Sequence, residues 1–184
     1  MAATGRGPGL RRLSALHAGK APKGSRCVRG RAYDEAAEEG GEEAMTTDQS
    51  ACPICRRGTP MDVVAELDSS WVTMSASAPL RGYACLVFRR HAVELHDLSH
   101  SEGVAFMSDI RRLSGAVKGV TGAAKMNYEV HGNTIQHLHM HFYPRYPNDV
   151  FHGGPINPKA VTTPVYAAGE IEDFQTRLRQ ALGL

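Results

Sequence analysis

Long apolar runs are missing from this chain of 184 residues. A membrane-crossing helix needs about 20 consecutive apolar residues, so neither a span nor a membrane partner is expected. Cysteine is scarce: there are four, widely spread apart from Cys52 and Cys55. That spacing excludes a small secreted domain stapled by disulfides and fits a reducing cytosol. Residues 1–33 contain no acid and eight basic residues, while residues 34–43 contain no base and six acids. From Met45 onward the charges balance at 13 of each sign, so the net charge of +2 originates in the tail. The folded part is therefore not a general binder of nucleic-acid polymers. A second C-x-x-C is also missing, which bears on any metal site.

What is present divides at about residue 50. Residues 1–50 are rich in Gly, Ala and Arg with little periodic apolar pattern, and read as a disordered tail. The Arg-rich start resembles an organelle transit peptide in composition. Met45-Thr46-Thr47-Asp48 instead reads as an independent start, so the expectation is a cytoplasmic product beginning at Met45. Organelle targeting through residues 1–33 is the alternative. Residues 51–184 then form one domain with a C-terminal extension.

The densest signal is His137-Leu138-His139-Met140-His141-Phe142-Tyr143. A period of two is a strand period, so the three imidazoles share one face and the apolar residues the other. Pro144, lacking an N–H, is expected to end the ladder. On such a strand His137 and His141 lie about 13 Å apart at their backbones. With metal–nitrogen bonds of about 2 Å, one ion does not readily bridge the outer pair. Two neighbours sharing a metal, or an imidazole row serving phosphate with one neutral nucleophile, are the remaining chemistries. A core strand that happens to carry histidines would bury three polar side chains at a cost.

Cys52-Pro53-Ile54-Cys55 is a zinc half-site or a redox dithiol. The redox reading wants a strand before it and a helix after it; here the tail precedes and Gly58 and Pro60 follow. For zinc, the two missing ligands must be histidines, and His91, His96, His137 and His141 are the candidates. Residues 61–67, 71–76 and 82–88 read as strands, with turns at 68–70 and 79–82. Cys85 and Trp71 are read as core, with a base-binding pocket as the alternative for Trp71. Arg89 and Arg90 fit a phosphate role or a solvated strand end. Ser99 and Glu102 form a capping box, and Phe106, Ile110, Leu113, Val117 and Val120 recur at helical spacing. Residues 124–130 and 136–143 are further strands. His131 falls in their connection as an exposed residue without chemistry. Ile171, Phe174, Leu178 and Leu182 mark a short final helix. The class is α+β, with an antiparallel sheet of about five strands, one main helix and a short C-terminal helix.

On these residues the chain resembles the histidine-triad (HIT) superfamily of nucleotide hydrolases and transferases. The run from Gly132-Asn133 through the triad to Pro144-Arg145-Tyr146, Asp149 and Gly154-Pro155-Ile156 is similar to its bacterial diadenosine-polyphosphate-hydrolase-like branch. Gly82 to Val87 and Glu94-Leu95-His96-Asp97-Leu98 extend the similarity, which covers residues 51–157. The resemblance implies a HIT-like fold and attack by His139 on the α-phosphorus of an adenine nucleotide. It implies phosphoryl contacts from His141 and phosphate or leaving-group donors at Asn127, Asn133 and Thr134. It also implies a structural zinc on Cys52, Cys55, His91 and His137, no organic cofactor, and a homodimer built largely on the main helix. Gly82-Tyr83 departs from the Gly-His of the family. That departure sustains a second reading, a nucleotide-binding or sensor protein with a weakened site. A metal-dependent hydrolase using the histidine row is a third.

Overall fold

The computed structural model describes residues 47–161 and 165–184. The start at Met45 and the features read in residues 1–46 lie outside the described residues.

Five strands form one antiparallel sheet: β1 (Val63–Glu66), β2 (Ser70–Thr73), β3 (Ala84–Phe88), β4 (Lys125–Glu129) and β5 (His139–Arg145), in the order β1-β2-β3-β5-β4. A short helix α1 (Pro53–Arg57) precedes the sheet, α2 (His100–Thr121) connects β3 to β4, and α3 (Glu170–Ala181) closes the chain. No described helix is long and apolar enough to cross a membrane.

The register fixes which side chains share a face, because directly opposed residues in antiparallel strands point the same way. Val72 opposes Leu86, which opposes Met140, and Phe142 opposes both Ala84 and Tyr128. These residues face α2, whose Phe106, Ile110, Leu113 and Val117 are buried in the same cluster. Leu113 and Val117 are wholly shielded, and each such burial contributes about 1.5–3 kcal/mol. Leu178 and Phe174 of α3 complete that core.

Local chemistry sets the limits of α2. Ser99 accepts from the Glu102 backbone N–H, and Glu102 reaches back to that of Ser99, satisfying two otherwise orphaned donors. Gly122 adopts a left-handed conformation, and its N–H returns to the Lys118 carbonyl. Asp109, buried within α2, accepts from both the backbone N–H and the hydroxyl of Ser69 at 2.9 and 2.7 Å. It ties the β1–β2 turn to the helix.

Two readings of β5 change. The strand begins at His139, so His137 lies in the bend before it. Pro144 does not end the ladder but pairs with Met126 inside it. The Arg145 carbonyl accepts from Ala124 on the β4 side, so the main chain of residue 144 faces the other way. There β3 has already stopped, its last pair with β5 being Ala84 with Phe142. The missing N–H of Pro144 therefore costs no ladder bond. Beyond the strand, Arg145 grips Asp149 through two nitrogens at 2.8 and 2.9 Å. This contact holds the Asp149 carboxyl down at about 2.

Candidate active site and metal cluster

The sheet face turned away from α2 carries the candidate residues. His139 opposes Val87, and His141 opposes both Cys85 and Glu129. Asn127 opposes Tyr143 and Trp71 opposes Val87 on the same face. Trp71 is thus half-buried on the triad side, against Cys52 and Ile54, and outside the main core. The Arg89 guanidinium lies 5.9 Å from its ring. Cys85 is buried, as read, and burial pushes its thiol up to about 12.

Cys52 caps α1 and Cys55 lies within it. Residues i and i+3 are neighbours on a helix, so the two sulfurs converge. His91 follows β3, and its segment meets the one before β5: Leu138 N–H donates to the Ala92 carbonyl at 2.6 Å, and Phe88 N–H to the Leu138 carbonyl at 3.0 Å. These bonds bring His91 and His137 together above the cysteines.

The donors fit a tetrahedral ion. The His137 Nδ1 lies 3.4 Å from the Cys52 sulfur and 3.6 Å from the Cys55 sulfur, and the His91 Nδ1 lies 3.3 Å from the Cys55 sulfur. All four ligand atoms fall within 4.8 Å of one another. Zinc bonds of about 2.3 Å to sulfur and 2.0–2.1 Å to nitrogen, at tetrahedral angles, place S and N about 3.5 Å apart. The remaining nitrogens are also engaged. His137 Nε2–H donates to the Phe88 carbonyl at 2.7 Å and His91 Nε2–H to the Thr47 carbonyl at 3.1 Å. Such outer contacts leave Nδ1 bare and fix the ring for a ligand's role. Burial, followed by the neighbouring Cys52, pushes the Cys55 thiol up to about 11; a cation would offset the charge of a thiolate there.

His96 and His141 stand apart from this cluster. The His96 side chain is exposed beside Asp97. His141 belongs to a second group of rings. Its Nδ1 lies 2.7 Å from the Tyr83 hydroxyl, and its ring centroid lies 4.9 Å from that of His139. Burial pushes His141 down to about 4, aided by His139 and His131. Burial likewise raises Tyr83, which stays a neutral phenol. With Tyr83 donating to Nδ1, His141 keeps its proton on Nε2 and presents an N–H donor.

His139 is oriented by its neighbour in sequence. Its Nδ1–H donates to the His137 carbonyl at 2.6 Å. The Nε2 lone pair is left bare, as a nitrogen nucleophile requires. His137 thus faces the cysteines with its ring and His139 with its backbone.

Asn133 and Thr134 lie exposed in the β4–β5 connection, while Asn127 is half-buried on β4. Arg89 and Arg90 are engaged within the protein, with Glu66 and the Leu67 carbonyl, and with Glu102, respectively. An apolar hollow lined by Leu80, Tyr146, Phe151 and Val161 has no triad histidine in its wall. The acceptors at Phe88 and Thr47 are backbone groups, which leave no residue signature in the sequence. The place of Glu129 on this face is signalled only by its alternation with Asn127 along β4.

The model of the HIT domain matches residues 56–148, and with that match over half its length the chain belongs to the HIT family. A histidine triad protein from Bradyrhizobium japonicum superimposes with a TM-score of 0.59 at 30% identity, covering 65% of this chain and 89% of that one. A zinc-bound histidine triad family protein from Mycobacterium smegmatis gives 0.54 at 20% identity, covering 74% and 96%. A hypothetical histidine triad nucleotide-binding protein from Sulfolobus tokodaii gives 0.55 at 16% identity, covering 72% and 90%. Among curated proteins, none matches significantly.

Proposed function

We propose that the protein is a HIT-type nucleotidyl hydrolase or transferase that cleaves at the α-phosphate of an adenine nucleotide. Dinucleoside polyphosphates and nucleoside phosphoramidates are the substrate classes, in keeping with the bacterial branch it resembles. One observation carries the reading: the 2.6 Å bond from His139 Nδ1–H to the His137 carbonyl, which leaves Nε2 bare beside His141. His139 Nε2 attacks the α-phosphorus and the leaving group departs. Water then cleaves the nucleotidyl-imidazole, so that one difficult displacement becomes two easier ones. His141 donates to a phosphoryl oxygen, and Asn127, Asn133 and Thr134 donate to the phosphate and leaving group, stabilising developing charge. The hydrogen bond between Tyr83 and His141 supports an intact ring network over a weakened nucleotide sensor.

Zinc on Cys52, Cys55, His91 and His137 is structural in this reading. All four ligand positions come from protein, with none left for substrate. The cation ties α1 to the segments flanking β3 and β5. This is evidence against a metal-dependent hydrolase built on the triad row. Exposed Val104 and Met107 on α2, and exposed Tyr128, whose hydroxyl meets that of Ser114 on the helix, support a homodimer. The thiolates that Cys52 and Cys55 would present to zinc suit the reducing setting of a cytosol.

Replacing His139 with Ala is expected to abolish turnover of dinucleotides and AMP-amidates while nucleotide binding persists. Wild-type protein quenched in alkaline denaturant, which preserves the P–N bond, should carry a nucleotide adduct on His139. Undiminished turnover by the variant overturns the assignment.

A further inference from the structure

Glu129 stands opposite His141 on β4, and His131 follows two residues later. The Glu129 Oε2 lies 2.9 Å from the His131 Nε2. The His131 ring centroid lies 5.7 Å from that of His141. A carboxylate–imidazole pair on a protein surface ordinarily contributes little. This one differs in two respects. Its register places it on the triad face, and its exposure is unequal. The Glu129 side chain is 23% exposed and that of His131 52%, so a shielded carboxylate holds an imidazole that an incoming molecule can reach. Gly132, at φ 84°, turns the chain immediately beyond it.

The proposed reaction needs a group that gives up a proton and later recovers it. The other groups around His139 are poorly suited. Burial holds His141 neutral above about pH 4, and Tyr83 is raised well above an ordinary phenol. The His139 Nδ1–H is committed to a carbonyl. His131 is different: with Nε2–H donated to Glu129, its Nδ1 is left for proton exchange, and the carboxylate fixes the tautomer and orientation of the ring. A buried acid plays that same part toward the histidine of a hydrolase triad.

We propose that His131, held by Glu129, is the proton-transfer residue of the triad site. The inference rests on the nucleotidyl-transfer reading above. In the first step a bond forms between His139 Nε2 and the α-phosphorus. The bond from phosphorus to the leaving oxygen or nitrogen breaks, its electron pair staying with the leaving atom. That atom takes the Nδ1 proton of the His131 imidazolium. In the second step a water oxygen bonds to phosphorus, and the N–P pair returns to His139. The water's proton passes to His131 Nδ1, restoring the imidazolium.

Two substrates test this. The 4-nitrophenyl ester of AMP releases a leaving group that needs no proton, whereas an N-alkyl amidate of AMP releases an amine that does. His131→Gln is expected to cleave the amidate about 100-fold or more slowly, as befits a lost general acid. With the nitrophenyl ester it should give a burst of one nitrophenolate per site at near the wild-type rate, followed by slow turnover. Glu129→Gln should show the same pattern more weakly, both variants melting within a few degrees of wild type. Equal slowing of the burst and of amidate cleavage, or slowing of neither, overturns the role of His131 alone. Failure of the wild-type protein on both substrates, with no histidine adduct, overturns the underlying reading and this one with it.

Discussion

The hydroxyl of Tyr83 lies 2.7 Å from Nδ1 of His141, and the two rings stack at an interplanar angle of 22°. This bond decides which His141 nitrogen carries the proton. In Tyr83→Phe the ring loses that control. One neutral hydrogen bond is worth about 1 kcal/mol, so kcat is expected to fall about 5- to 10-fold with KM little changed. Tyr83→His, which restores a ring donor, should recover most of the loss. Steady-state kinetics checks the split, and nitrogen chemical shifts of His141 report the tautomer.

Removing the proposed zinc should be felt throughout the domain. Metal analysis of purified protein is expected to find about one zinc per chain, held by two sulfurs and two nitrogens. Chelation, or Cys52→Ala, is expected to lower the melting temperature strongly, because metal-binding energy at a structural site is also folding energy. Activity should fall with it, since His137 loses its anchor and its carbonyl orients His139. A melting curve unmoved by chelator, with no bound metal, would return these four residues to a dithiol and two histidines.

His141 gives stability a pH dependence of known sign. Its folded pKa of about 4 lies below the ordinary 6.5. Between those values the unfolded chain binds more protons than the native one, so stability rises with pH across that window. On acidification the loss begins near pH 6.5 and levels off near pH 4. The measurement is the difference in melting temperature between wild type and His141→Asn. That difference should shift with pH within the window and stay constant above it.

Asp109 lies on the face of the sheet opposite the proposed site, yet its removal should be costly. It is buried and accepts two donors from Ser69. Asp109→Ala leaves that backbone N–H unpaired, at about 2–3 kcal/mol. For a domain of this size the melting point should fall by roughly 5–10 °C. Because Asp109 lies on the α2 side of the sheet, kcat/KM should be unchanged at temperatures where the variant is folded.

The sheet and its covering helix were legible because their signals are local and periodic. Leu138, Met140 and Phe142 alternate with histidine, and Phe106, Ile110, Leu113 and Val117 repeat at helical spacing. The capping box at Ser99 and Glu102 requires four adjacent residues. Other features depend on partners distant in sequence. Pro144 is tolerated because β3 stops at Ala84, which nothing around Pro144 records. His137 leaves the strand row because its backbone neighbours meet Phe88 and Ala92. The approach of His131 to His141 follows from the β4–β5 register, whereas in sequence the two are separated by the whole connecting loop.

His137 makes three commitments at once: its Nδ1 faces the cysteines, its Nε2–H meets Phe88, and its carbonyl holds His139. This imposes an order on how such a protein can change over generations. A lineage relinquishing the proposed zinc can first lose Cys52, Cys55 or His91, provided packing compensates. His137 must come last, because its side chain also fixes the backbone that orients the His139 ring. Descendants without metal are therefore expected to retain the first histidine of the triad after the residues that once accounted for it have gone.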